Sequence, residues 1–146
     1  MSSSAATHAW ATPRVRVQPP GLGPGEPGRL VVTVEIPDGC HIQSHTPSEP
    51  FLVPTTVHLE ATDDLELGPV SYPAGHTESF DWTPVTLEVY RGTVEIIAPV
   101  DIRRGAGGGT ASISGHVRYQ ACTESACLPP VEQPIAATAA IASTKA

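Results

Sequence analysis

From Ala111 to Gln120 the chain alternates without a break. Ala111, Ile113, Gly115, Val117 and Tyr119 fall on one side, and Ser112, Ser114, His116, Arg118 and Gln120 on the other. A period of two is the imprint of a strand with one face buried and the other wet. The same pattern recurs with Leu30, Val32, Val34 and Ile36 set against Val31, Thr33 and Glu35, and Pro37-Asp38-Gly39 closes that strand in a turn. Sixteen prolines and thirteen glycines interrupt the chain too often for a long helix. Further strands are expected at residues 14–18, 55–61, 65–72, 85–90 and 93–102, with residues 105–109 as a flexible hairpin loop. Residues 131–141 are Ala-rich and carry helical propensity, yet Pro129-Pro130, the internal Pro134 and the preceding strand's need for a partner favour another strand. Short strands between Gly/Pro turns predict an all-β fold, an antiparallel β-sandwich.

A chain of 146 residues fits one domain with its own core. We place that domain at residues 13–142, after a small, polar, disordered N-terminal tail over residues 1–12. Aromatics make up only 5% of the chain, so the core must rest on Val, Ile, Leu and Ala. A net charge of −7 argues against nucleic acid or an anionic membrane surface as partner, because both demand clustered Lys and Arg. No apolar run approaches the roughly 18 residues needed to span a bilayer, so direct membrane insertion is not expected. The first ten residues show neither the basic nor the apolar region of a signal peptide. Three cysteines leave at least one unpaired within a monomer, which disfavours a disulfide framework as the basis of the fold.

Cys122 and Cys127 carry the chemical interest. They enclose four residues, a spacing that suits a tight turn between antiparallel strands and brings both Cβ atoms within bridging range. Three readings are open. A structural disulfide across the turn would contribute only about 2 kcal/mol in the chain-entropy model. A metal site completed by His41, His45 or His116 is the poorest fit, because Cys-x4-Cys is looser than the usual knuckle and no second close pair exists. A redox-active dithiol is the third, with one thiolate attacking a partner's disulfide and the second cysteine resolving the product. Spacing alone does not separate the first from the third.

The passage YQACTESACLPP, residues 119–130, resembles the active-site segment of the N-terminal (alpha) domain of the DsbD thiol:disulfide interchange family. In that family a Tyr-Gln-x-Cys stretch is followed by a second Cys and paired prolines. The likeness extends to residues 36–44, to Pro54-Thr55-Thr56-Val57, to Val70-Ser71-Tyr72-Pro73 and to Val89-Tyr90-Arg91-Gly92, and covers about residues 28–135. The resemblance implies an immunoglobulin-like sandwich outside the cytoplasm that passes reducing equivalents to or from thioredoxin-fold partners. The activity implied is that of a thiol-disulfide oxidoreductase, or protein-disulfide reductase. Cys127 would form the mixed disulfide and Cys122 would resolve it. Phe80 would be the aromatic cap that covers the cysteines, although a core aromatic is the competing reading. Glu78, Asp81 and Glu124 are candidates to lie near the thiols, where carboxylates raise a thiol pKa; solvated surface charges are the competing and more common reading. Tyr119 is expected to pack in the core, Gln120 to hydrogen-bond near the thiols, and His41 to anchor a loop.

The chain departs from the family in two respects. Cys40 stands where an aromatic is usual, and is expected to pack as a small hydrophobe. The family's membrane-spanning and C-terminal thioredoxin-like domains are not in this sequence, which implies either an excised domain or a separate donor, such as a membrane electron-donor protein. The cysteine pair itself would be the redox group, so no cofactor or metal is expected. A non-enzymatic immunoglobulin-like binding module braced by a permanent disulfide is the alternative.

Overall fold

The structure, a computed structural model, describes residues 11–47, 49, 51–62, 64–103, 109–123 and 125–141. Among these the chain forms strands β1 (Thr12–Gln18), β2 (Gly21–Leu22), β3 (Gly28–Glu35), β4 (His41–Gln43), β5 (Thr56–Ala61) and β6 (Leu65–Leu67). They are followed by β7 (His76–Phe80), β8 (Thr83–Tyr90), β9 (Thr93–Ile102), β10 (Gly109–Tyr119), β11 (Ala121–Cys122) and β12 (Val131–Ile141). Residues 1–10 lie outside the described set, but Ala11 is buried and Thr12 opens β1. Ala11 and Thr12, expected in the disordered tail, are therefore part of the fold.

Three four-stranded sheets result, in the orders β1-β3-β9-β6, β2-β12-β10-β5 and β11-β4-β8-β7. All pairings are antiparallel except the short β2–β12 contact. The first two sheets stack face to face. Val32, Val34, Val94 and Ile96 of one meet Val57, Val117, Tyr119 and Ile135 of the other. A second apolar cluster joins Leu30, Ala98 and Val100 to Ala111, Ile113 and Ala139. Each fully buried Val, Leu or Ile stabilises the fold by roughly 1.5–3 kcal/mol, which is how a chain poor in aromatics holds together. The architecture is an immunoglobulin-like β-sandwich.

The alternation of residues 111–120 is realised in β10, where Ala111, Ile113, Val117 and Tyr119 are buried and Ser112, Ser114 and Arg118 are exposed. Val31, expected on the outer face of β3, is buried as well. Residues 131–141 form a strand, paired with β10 from Tyr119↔Val131 to Gly109↔Ile141. The segment 65–72 departs from expectation. Only Leu65–Leu67 is a strand, and Gly68-Pro69 ends it before Ser71 makes an isolated bridge to Ile97. The expected hairpin at 105–109 is also corrected. β9 and β10 belong to different sheets and do not pair with each other; residues 104–108 lie outside the described set.

The small third sheet carries the cysteines, and its strands continue those of the sandwich. β10 runs into β11, and β8 runs into β9 through Arg91-Gly92. β3 leads to β4 by a turn in which Gly39 has φ 82° and the Cys40 N–H donates to the Pro37 carbonyl at 3.1 Å. That left-handed φ is open to glycine at little cost.

Candidate redox site

After Tyr119 the chain leaves the β10–β12 ladder and rejoins it at Val131. In between, Ala121 and Cys122 pair with Ile42 and His41 of β4. The Thr123 N–H donates to the Ala126 carbonyl at 2.8 Å and the Leu128 N–H to the Ala121 carbonyl at 2.9 Å, which closes the turn. Cys122 thereby faces Cys127 across an antiparallel bridge, with Cα atoms 3.9 Å apart, and the two sulfurs are bonded. The pair is asymmetric. Cys122 is fully buried, whereas Cys127 is half-buried between the exposed Ala126 and Pro129. Of the two cysteines, Cys127 is the more exposed.

Cross-strand partners project to the same side of a sheet, so Cys122 shares a face with His41 and with Gln43, two residues further along β4. The Gln43 Nε2 donates to the Cys122 Sγ at 3.4 Å from a fully buried position. Sequence reasoning passed over Gln43. Its only signal was an amide on the strand that pairs with the first cysteine, and that pairing is invisible until the chain is folded. Gln120 hydrogen-bonds beside the cysteines, to backbone groups of the cysteine turn and the neighbouring loop. Its Oε1 accepts from the Val53 N–H at 3.0 Å, its Nε2 donates to the Leu128 carbonyl at 3.3 Å, and its own carbonyl accepts from the Gln43 N–H. It braces the cysteine turn against the neighbouring loop. Tyr119 packs in the main core as expected, and its hydroxyl accepts from the Ala11 N–H at 3.2 Å and from the Gln133 Nε2. Burial pushes the Tyr119 phenol pKa up.

Phe80 closes this face. A register shift between Glu78 and Phe80 bends the β7–β8 hairpin, and the Phe80 ring comes to lie on His41, centroids 4.6 Å apart and planes inclined at 22°. Leu52, Leu87 and Val89 complete its pocket, leaving Phe80 7% exposed, and Trp82 packs against its outer side at 5.9 Å. Phe80 thus belongs to an apolar cluster and also covers the residue opposite Cys122. Phe51, on the loop next to Leu52, is 66% exposed; it is a second aromatic that the sequence reading did not single out.

Glu78 is placed elsewhere than expected. It stands on β7, at the opposite edge of the small sheet from the β11 strand that holds Cys122. Its carboxylate is held by Arg91, with Nε–Oε2 at 2.5 Å and Nη2–Oε1 at 2.7 Å, and by His76. The bidentate Arg91 guanidinium, with His76 beside it, brings the Glu78 pKa down to about 2 despite partial burial. That charge is spent on Arg91, whose Nη1 donates onward to the Cys40 carbonyl at 3.2 Å. Asp81 is exposed, and Glu124 lies outside the described residues. Cys40 is buried in the main apolar cluster, as a small hydrophobe would be. The histidines weighed as metal ligands occupy separate places. His41 stacks on Phe80, His45 stacks on Tyr72, and His116 stacks on His58.

The family described as "Thiol:disulfide interchange protein DsbD, N-terminal" matches residues 11–139. The chain belongs to the DsbD N-terminal family. The resemblance carried by the cysteine segment is therefore confirmed over nearly the whole chain. A search of curated protein sequences found no match. Among solved structures, the complex between the DsbD and PilB N-terminal domains of Neisseria meningitidis is similar over 92% of this chain and 89% of that one. The identity is 17% and the TM-score 0.50. The reduced N. meningitidis DsbD N-terminal domain aligns with 76% of this chain and 80% of its own, at 21% identity and a TM-score of 0.44. The N-terminal periplasmic domain of ScsB from Proteus mirabilis aligns with 86% of this chain and 43% of its own, at 13% identity and a TM-score of 0.48. At these identities the likeness concerns the fold, and membership of the DsbD N-terminal family rests on the sequence match.

Proposed function

We propose that this DsbD N-terminal domain passes reducing equivalents between thioredoxin-fold proteins by thiol–disulfide exchange through Cys122 and Cys127, as a protein-disulfide reductase outside the cytoplasm. The observation that carries the reading is the asymmetry of the pair: a bonded disulfide with one cysteine fully buried and the other partly exposed. A partner thiolate attacks the Cys127 sulfur, the Cys122–Cys127 bond breaks, and its electron pair leaves on the Cys122 sulfur, which takes a proton from water. The partner's second thiolate then displaces Cys127, leaving this domain a dithiol and the partner a disulfide. In the onward direction the Cys127 thiolate attacks a substrate disulfide, and Cys122 resolves the adduct. The redox group is the cysteine pair, with no added cofactor.

Partner class and location rest on the family. The structural neighbour from N. meningitidis is a DsbD N-terminal domain in complex with a PilB N-terminal domain, and the ScsB neighbour is described as periplasmic. Among the described residues no helix is long and apolar enough to cross a membrane. A membrane electron-donor protein is a candidate partner. Trapping tests the reading. A Cys122→Ala variant should capture a thioredoxin-fold protein at Cys127 as a mixed disulfide. A failure to form that adduct with any thioredoxin-fold partner, combined with a reduction potential below about −300 mV, would instead identify a structural brace.

A further inference from the structure

The exchange reaction places a negative charge where the fold is driest. When Cys127 is attacked, the departing electron pair settles on Cys122, a fully buried residue on the central face of the small sheet. A thiolate without water must find a donor or it will be held back as a leaving group. One donor is built in. The Gln43 Nε2 stands 3.4 Å from the Cys122 Sγ, within range for a hydrogen bond to sulfur. A disulfide sulfur offers only lone pairs, so the nitrogen and not the oxygen of the amide must face it.

Gln43 is fixed from several sides. Its N–H donates to the Gln120 carbonyl at 3.3 Å, and its carbonyl accepts from the Thr55 hydroxyl at 2.5 Å, while β4 pairs it with Val89. The side chain is buried, and among the described residues its Oε1 is a buried acceptor with no hydrogen-bond donor. An unsatisfied amide oxygen is costly in a core.

We infer that Gln43 is the positioning residue of the exchange reaction. Its Nε2–H donates to the Cys122 sulfur and stabilises the electron pair arriving there as the disulfide opens. The inference rests on the exchange reading above, in which Cys127 is attacked and Cys122 leaves.

The test uses reduction of the intact domain by dithiothreitol, which needs no protein partner. Gln43→Met keeps the shape and removes the donor, and Gln43→Glu keeps the shape and turns the donor into an acceptor. Reduction of Gln43→Met should be about tenfold slower than wild type, from the loss of a hydrogen bond to a charged group. Gln43→Glu should be slower still at about pH 8.5. Its deficit relative to wild type should shrink towards pH 6, because a buried carboxyl protonates readily and its O–H then donates to sulfur. A purely structural role for Gln43 predicts no such pH-dependent ratio. Folded Gln43→Met reduced at the wild-type rate would overturn the inference, as would a Gln43→Glu deficit that is flat with pH. Should Gln43→Met not fold, the pH dependence of Gln43→Glu decides alone. Either negative result leaves the Cys122→Ala trap unaffected, so failure of the amide's role and failure of the exchange reading are separable.

Discussion

The Phe80 ring lies flat against His41, centroids 4.6 Å apart, and His41 is the cross-strand partner of Cys122. Through this contact the β7–β8 hairpin lies over the strand pair that holds the buried sulfur. Phe80 belongs to a cluster separate from the two that hold the sandwich together.

Replacing Phe80 with Ala should uncover that face. We expect dithiothreitol to reduce the disulfide several-fold faster in Phe80→Ala, while urea denaturation shows a loss of about 2–4 kcal/mol from the emptied pocket. Unchanged reduction kinetics in a folded variant would leave Phe80 a packing residue and nothing more.

The Glu78–Arg91 pair predicts an acid signature. Glu78 has a folded pKa depressed from 4.5 to about 2, so it stabilises the fold fully above pH 4.5 and the contribution fades as pH falls towards 2. Solvent screening at a partly exposed site reduces the benefit to about 1–2 kcal/mol. Glu78→Gln should therefore be less stable than wild type at neutral pH, and the two urea midpoints should converge between pH 4.5 and 2. Because Arg91 neutralises Glu78, the same substitution should leave the reactivity of the cysteines with small thiols unchanged.

Gly115 marks the closest approach of two strands. A Cβ there would fall 1.9 Å from the His58 carbonyl oxygen of β5, and backbone cannot yield as a flexible side chain would. Gly115→Ala should cost about 3 kcal/mol or more, seen as a lower urea midpoint. A loss within about 0.5 kcal/mol would contradict the Gly115↔Leu59 register.

The strands that could be read from sequence are those with one wet face. β1, β3, β5, β8, β9, β10 and β12 all fall within or close to expected spans, because alternation is a local record of burial. β4 leaves no such record: His41, Ile42 and Gln43 are buried in succession. β7 is an edge strand whose sole buried residue is Phe80. The expected hairpin at 105–109 fails for a related reason, since loop glycines announce a change of direction without saying which sheet comes next. At the site, the cysteines and Phe80 were legible from their motif. Gln43, the backbone partners of Gln120 and the capture of Glu78 by Arg91 depend on which strands lie side by side, and no short stretch of sequence records that.

The departure of residues 120–130 from the β10–β12 ladder has one more consequence. The ladder closes at Tyr119↔Val131 on either side of the cysteine turn, so the frame is complete whether the sulfurs are joined or apart. Opening the bridge relaxes a side loop while the sandwich keeps its outline. A visiting protein therefore meets the same silhouette in both electron counts, and must learn which one it has met from the sulfur itself.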